Sequence, residues 1–247
     1  MKYELKEEDI LELGSYRGRN IRMVLPDKED YISKCIIDSS SLYQESLLNS
    51  MLKTIPVNPN VIDIGAYTGS SAIWFSTIAG ARHVMAIEPD EYIYSILETN
   101  VKLSGLKDTV STVHAAIGAN SGTARLKAVS STNLGAAQYR ACEPGAPDEI
   151  AMISIDSLAA DCKDRVDVLH ISMEGNEYLA IQGAKNIISR DKPVVIITLW
   201  SPETICIDPE YDCLSGYTKL TEQLLKFGYV SKGRYVDKEI FMPGGNA

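Results

Sequence analysis

The alternation of apolar and helix-patterned segments along the chain predicts an α/β domain. After a Pro/Asn-rich break at residues 56–60, short apolar segments alternate with segments whose apolar residues have helical spacing. The predicted strands are Val61–Ile64, His83–Ile87, Thr109–Ile117, Val166–Ile171 and Pro193–Leu199, and the predicted helices are Ser70–Ala79, Asp90–Leu103, Asn176–Ser189 and Tyr217–Phe227. Apolar strands that alternate with helices indicate a parallel sheet covered on both faces.

Three segments stand outside this alternation. Residues 1–55 are predicted to form an N-terminal leader and cover helix, with a strand at Ile21–Leu25 and a helix at Ser41–Thr54, ahead of a main domain at 56–247. The interval 118–157 is predicted to be a lid or substrate-facing insertion, because its Gly/Pro-bearing middle separates two short strand patterns and long loops are usually functional. Tyr229–Phe241 predicts a closing pair of strands.

Composition narrows the classes of partner. The 247 residues carry a net charge of −9, which makes nucleic acid an unlikely partner because phosphate binding needs clustered Lys and Arg. The N-terminus lacks the continuous apolar segment of a signal peptide, and no apolar run reaches membrane-spanning length, so a cytoplasmic protein without a membrane partner is expected. The five cysteines lack zinc spacing, so no metal site is expected. A homodimer remains open.

The segment VIDIGAYTG, residues 61–69, is the strongest candidate for a ligand site. Strands of an open α/β sheet present ligands at their carboxyl ends, and here Asp63, Gly65 and Gly69 follow the first predicted strand. A dinucleotide would require a third glycine that is missing, whereas an acid at the strand end suits the cationic side of S-adenosylmethionine. Glu88, at the end of the second strand, can accept both hydroxyls of a ribose in either class of ligand. Each acid also has a plainer interpretation, Asp63 as a helix cap and Glu88 as a surface charge.

The order and spacing of several further motifs resemble the FkbM-type family of S-adenosylmethionine-dependent methyltransferases. The resemblance covers about residues 40–200 and rests on the segments Asp63–Gly69, Glu88–Asp90, Asn100, Ala115–Gly118, Asn133–Gly135, Ser154–Leu158, Glu174–Glu177, Gly183–Ala184 and Pro193. It implies a class I, Rossmann-like methyltransferase fold, with a mostly parallel seven-stranded sheet and an antiparallel C-terminal hairpin. It also implies O-methylation of a sugar or another small-molecule natural product, with S-adenosylmethionine as the cofactor.

The resemblance also places residues around that cofactor. The residues expected to contact it are Gly65, Ala66, Tyr67, Gly69, Ser70, Glu88, Pro89, Ala116 and Ser172, together with Asp63 and with Glu45 from the cover helix. The chain departs from the family at Tyr67, where Asn is usual, and at Ser172, where the family has aspartate. The second departure puts in doubt any role that needs a carboxylate at that position.

Two residues near the end of the fourth predicted strand are candidates for the chemistry. A hydroxyl is a weak nucleophile, so a general base near its proton should help, and Glu174 or His170 is expected to supply it. Glu174 is equally compatible with a stabilising acid at a helix start, and His170 with a core histidine deeper in the strand. Candidates to contact the acceptor are Asn133, Glu177 and Trp200, which are also compatible with a turn, a helix surface and simple packing.

Three other functions remain open from the sequence. The same fold could methylate nitrogen on a peptide or nucleic acid, although Ser172–Gly175 is not the Pro-Pro-aromatic motif common in amino-methylating enzymes of nucleic acids. A non-catalytic cofactor-binding protein is compatible with the missing aspartate at Ser172. An NAD-linked oxidoreductase is disfavoured by the missing third glycine.

Overall fold

The computed structural model describes residues 2–160, 164–199 and 213–244, and divides into two compact units. The first unit contains the chain up to His114 together with Ser130–Gly135, and the second contains Ala115–Val129 and Ala136–Ala247. The leader at 1–55 is therefore part of the first compact unit. The predicted domain boundary at residue 55 stays a prediction.

The first unit contains a three-stranded parallel sheet preceded by a hairpin and two short helices. Its elements are β1 (Leu11–Tyr16), β2 (Arg19–Met23), α1 (Tyr31–Ser39), α2 (Glu45–Ser50), β3 (Asn60–Ile64), α3 (Ser70–Thr77), β4 (His83–Glu88), α4 (Glu91–Leu103) and β5 (Val110–His114). Strand β4 lies between β3 and β5, and β1 pairs antiparallel with β2.

Buried side chains link separate elements of the first unit by hydrogen bonds. Trp74 and Phe75 of α3 are fully buried, and the Trp74 Nε1–H donates to Asn49 Oδ1 at 2.9 Å. Asn100 of α4 is also fully buried: its amide donates to the carbonyls of Val24 and Thr68, and its Oδ1 accepts from Val24 N–H. One side chain thus fixes the end of the N-terminal hairpin and the turn after β3, as buried polar groups require partners.

The second unit contains two small β-structures and four helices among its described residues. Its elements are β6 (Ala116–Ile117), β7 (Gly122–Ser130), β8 (Asn133–Cys142), β9 (Ile150–Ile153), α5 (Ile155–Leu158), β10 (Val168–Ile171), α6 (Glu177–Gln182), α7 (Lys185–Asp191), β11 (Val194–Thr198), α8 (Cys213–Lys226), β12 (Tyr229–Tyr235) and β13 (Lys238–Pro243). Strands β6, β9, β7 and β8 form one sheet in that order. Strands β10 and β11 are parallel, and β13 pairs antiparallel with β11 and β12.

These strands confirm the predicted fold class. Three parallel strands in the first unit, with two parallel strands and an antiparallel C-terminal hairpin in the second, give a mostly parallel α/β protein with the seven strands of the class I methyltransferase fold. Among the described residues, none of the helices has both the length and the apolar character needed to cross a membrane. The same residues contain no group of His, Cys, Asp and Glu that could hold a metal ion.

The structure corrects several predicted elements. The predicted helix Ser41–Thr54 is only α2 and a short 3-10 turn, because the backbone is left-handed at Ser40 and Gln44. The predicted strand Thr109–Ile117 is divided at Ala115 into β5 and β6. The predicted helix Asn176–Ser189 is interrupted at Gly183, which packs so closely on the Gly118 carbonyl that no side chain fits.

The insertion at 118–157 also differs from the prediction. Its middle was expected to be a polar loop, but residues 133–142 form β8, the longest strand described. The apolar pattern of the sequence does not predict this strand, because one of its buried positions is the polar residue Gln138. Whether the insertion acts as a lid stays a prediction.

Candidate active site

The turn after β3 closes directly onto the end of β4. The backbone N–H groups of Gly65 and Ala66 both donate to the Ile87 carbonyl, at 3.1 and 3.0 Å. Gly65 and Gly69 have φ of 73° and 93°, a region that favours glycine. A Cβ at Gly69 would also lie 2.7 Å from Leu97 Cδ1, so both glycines of the predicted motif are required by the backbone path.

Glu88 binds this turn through both of its carboxylate oxygens. Oε2 accepts from Tyr67 N–H at 3.0 Å, and Oε1 accepts from Asp90 N–H at 2.9 Å. The side chain is almost completely buried. Burial raises the pKa of the Glu88 carboxyl to about 8, with further increases from the charges of Asp90 and Asp63, while the two backbone hydrogen bonds oppose the shift.

Several other residues predicted to contact the cofactor belong to the first unit, in or next to this turn. Asp63 is fully buried and accepts from the Ser71 hydroxyl at 2.7 Å. The Ser70 hydroxyl accepts from Tyr43 N–H at 2.6 Å, which brings the segment before α2 to the start of α3. Ala66 is buried, and Pro89 follows β4 with its carbonyl bonded to the His114 ring at 2.9 Å.

Glu45 begins α2 and has partners of its own. Its Oε2 accepts from the Tyr16 hydroxyl at 2.6 Å and from Leu42 N–H at 3.3 Å. Both bonds use one oxygen, so Oε1 is the atom that would meet a ligand.

The raised pKa of Glu88 gives a testable dependence on pH. A ribose hydroxyl bound by Glu88 would donate to the ionised carboxylate, so ligand binding at a pH below about 8 would release the proton that Glu88 holds. Affinity for S-adenosylhomocysteine should therefore rise about tenfold between about pH 6 and about pH 7, and level off above the pKa. Isothermal titration calorimetry across this range measures the slope. A dissociation constant that does not change with pH would contradict the linkage.

The candidates for the chemistry lie in the second unit, with His170 inside β10 and Glu174 after its end. Glu174 has a φ of 54° and Gly175 a φ of 94°, so the chain turns sharply here. The amide of Gln138, on β8, donates to the Glu174 carbonyl at 3.0 Å. Burial and the charge of Glu177 raise the pKa of the Glu174 carboxyl well above its ordinary value, whereas the Lys238 cation lowers it.

Lys238 is a residue of this site that sequence reasoning missed. It begins β13, is 3% exposed, and its Nζ donates to Thr198 Oγ1 at the end of β11, at 2.8 Å. A buried lysine is rare unless it is paired. Its influence on the Glu174 and Glu177 carboxyl groups places a cation among the acids of this site. The sequence gives no signal for this, because Lys238 follows an ordinary hairpin turn.

Glu177, which was predicted to contact the acceptor, is bound to the backbone. Its Oε1 accepts from Met173 N–H at 3.0 Å and from Gly175 N–H at 3.2 Å, and the residue is 7% exposed. Arg140 and Asn176 support the same turn, since the guanidinium donates to Asn176 Oδ1 at 2.5 Å.

Replacing Glu177 with alanine should therefore destabilise the protein. Two N–H groups at the turn would lose their acceptor, and the free energy of unfolding should fall by about 2 kcal/mol. Urea denaturation measures this loss, with Glu143→Ala as the control because Glu143 is an exposed acid of the same unit. Unchanged stability combined with lost turnover would instead support direct contact with the acceptor.

The other predicted residues are placed as follows. His170 is buried inside β10, opposite Ile196 of β11, which favours a role in the core. Ser172 directly follows β10, and Ala116 is buried in β6 opposite Met152. Asn133 begins β8, in the first unit. Trp200 lies outside the described residues.

Comparison with solved structures shows the fold. The chain is similar to the methyltransferase FkbM from Methylobacillus flagellatus, with a TM-score of 0.52 and 18% identity over 75% of this chain and 43% of that one. This chain therefore spans less than half the length of that protein. It also matches the precorrin-6y C5,15-methyltransferase from Geobacter metallireducens (TM-score 0.47, 15% identity, 81% of this chain and 87% of that one). A third match is an O-methyltransferase from Bacillus cereus crystallised with S-adenosylhomocysteine (TM-score 0.48, 16% identity, 80% and 77%). The first of these matches shows that the fold is that of the Rossmann-like methyltransferases.

The family follows from the sequence match. Residues 63–227 match the methyltransferase FkbM domain, which is more than half of the chain, and the chain belongs to this family of methyltransferases. The resemblance seen in the sequence is confirmed. None of the curated proteins compared with the chain matches it.

Proposed function

We propose that the chain transfers a methyl group from S-adenosylmethionine to a hydroxyl of a sugar or another small natural product. The observation that supports the cofactor assignment is the set of hydrogen bonds that the Glu88 carboxylate accepts. A carboxylate has about four lone-pair sites, of which the N–H groups of Tyr67 and Asp90 occupy two. Two acceptor sites remain, matching the two hydroxyls of a ribose, at the carboxyl end of a parallel strand where nucleosides bind in this class of sheet.

The surrounding residues fit the rest of the cofactor. The left-handed Gly65 and Gly69 let the backbone approach a ligand closely. Asp63 and Glu45 supply negative charge for a cationic sulfonium and amino group, Glu45 through Oε1. When bound, S-adenosylmethionine supplies an activated methyl group, so the protein's contribution is orientation, exclusion of water and removal of a proton.

Glu174 is the proposed general base. It lies at the carboxyl end of β10, and burial next to Glu177 raises the pKa of its carboxyl. A carboxylate with a raised pKa is a better proton acceptor at neutral pH. The Lys238 cation opposes this shift and so favours the ionised form of the Glu174 carboxyl. Together these effects suit proton removal from a weakly acidic hydroxyl.

The cofactor assignment can be tested by thermal unfolding with two ligands. S-adenosylhomocysteine should raise the melting temperature in a concentration-dependent way, whereas NAD should leave it unchanged. Transfer of a labelled methyl group into small molecules of a cell extract would then test for catalysis. Stabilisation by NAD instead of S-adenosylhomocysteine would contradict the proposal.

A further inference from the structure

We infer that Asp30, in the N-terminal segment, is a positioning residue for the turn that is proposed to hold the cofactor. This inference rests on the proposed function. Asp30 precedes the region that matches the family domain, which begins at residue 63. The reasoning from sequence also missed Asp30, although its spacing to Ser33 is that of an N-cap at the start of a helix.

Asp30 joins three separate segments of the first unit. It caps α1 by accepting from the Ser33 N–H at 3.0 Å and from the Ser33 hydroxyl at 3.2 Å. The same oxygen, Oδ2, accepts from the Tyr67 hydroxyl at 3.1 Å, and Oδ1 accepts from Leu134 N–H at 2.8 Å. Only 2% of the residue is exposed. A buried carboxylate with this many donors defines the position of each of them.

The bond to Tyr67 matters because Tyr67 has a costly backbone conformation. Its φ is 51°, a left-handed value that a bulky residue seldom adopts. The residue is held at both ends, by its N–H on Glu88 Oε2 and by its hydroxyl on Asp30 Oδ2. Without the second bond, the ring loses its orientation and the N–H on Glu88 loses support. Asp30 therefore acts through Tyr67 on the carboxylate that is proposed to bind the ribose.

The bond to Leu134 positions the tip of the β7–β8 hairpin in the same way. Tyr31 N–H donates to the Thr132 carbonyl at 2.9 Å, and Gly135 packs on Ile32, leaving no room for a side chain. Asn133 lies between these contacts, and its Oδ1 is a buried acceptor that has no hydrogen-bond partner among the residues the structure describes. Asp30 therefore also fixes the place of Asn133, through the adjacent Leu134.

A double-mutant cycle in ligand binding tests the inference. Tyr67→Phe removes only a hydroxyl, and Asp30→Ala removes the carboxylate that accepts from this hydroxyl. Each substitution should weaken S-adenosylhomocysteine binding about tenfold by calorimetry. The double variant should be no weaker than the worse single variant, because both remove the same contact. Asp38→Asn, an exposed acid on the same helix, is the control and should bind normally.

The outcomes separate a positioning role from a purely structural one. A structural role would lower the melting temperature of the ligand-free variants while leaving the dissociation constant unchanged, and this result would overturn the inference. If Asp30→Ala fails to fold, Tyr67→Phe alone decides, since normal affinity in that variant overturns the inference. Absence of binding to the unaltered protein would overturn the proposed function together with this inference, whereas tight binding that is insensitive to both substitutions overturns only the inference.

Discussion

Replacing Glu88 with glutamine is expected to weaken S-adenosylhomocysteine binding by about a hundredfold, because hydrogen bonds to a charged group are lost. Glutamine has a single acceptor oxygen. Its amide N–H₂ would face either Tyr67 N–H or Asp90 N–H, both of which now donate to Glu88. The remaining oxygen has two lone pairs and could accept from one backbone N–H and one ribose hydroxyl, so the other N–H and the other hydroxyl would lose their acceptor. Isothermal titration calorimetry measures the loss directly.

The control for this experiment is Glu98→Gln, which removes the same charge from an exposed position on α4 and should bind normally. The melting temperature of ligand-free Glu88→Gln distinguishes a damaged turn from a lost ligand contact. The variant should also lose the dependence of affinity on pH. Near-normal affinity in a folded Glu88→Gln protein would show that the carboxylate serves only the turn, and the ribose assignment would be wrong.

The elements that were predicted correctly are those whose sequence signals lie within a short stretch of the chain. Strand β3, the glycine turn and α3 follow each other within 18 residues, and each has its own signal: a short apolar run, two glycines and a helical pattern. Strand β4 and α4 are similar, because Pro89 and Asp90 mark the boundary and Asp90 caps the helix by accepting from Ile93 N–H. The sequence alone therefore predicted that β3 and β4 end next to each other.

The parts that were missed depend on contacts between distant residues. Helix α1 precedes the predicted cover helix, and its cap Asp30 bonds to Leu134, 104 positions away. Strand β8 buries Gln138, whose amide is satisfied by the carbonyl of Glu174, 36 positions away. A polar residue of this kind is predicted to be exposed unless its hydrogen-bond partner is known. Lys238 was missed for the same reason, because its buried amine donates to Thr198, which is distant in the sequence.

The departure from the family at Ser172 leaves that position without a carboxylate. Glu174, two residues later, belongs to the motif that the chain shares with the family and lies where the backbone turns at positive φ. The charge of Glu177 raises the pKa of the Glu174 carboxyl, and the charge of Lys238 lowers it. The two acids differ in their contacts: Glu177 accepts from two backbone N–H groups, whereas Glu174 is the acid proposed to act on an acceptor.

Replacing Glu174 with glutamine is therefore expected to leave S-adenosylhomocysteine affinity unchanged and to slow methyl transfer by about a hundredfold, the contribution of a typical general base. The readout is transfer of a labelled methyl group into small molecules of a cell extract at saturating cofactor. Glu143→Gln, an exposed acid of the same unit, is the matched control. Because only the ionised carboxylate accepts a proton, the rate of the unaltered protein should rise with pH through the raised pKa of Glu174, and the variant should lose that rise. Unchanged turnover in a folded variant would assign Glu174 to the turn alone and leave proton removal to the solvent.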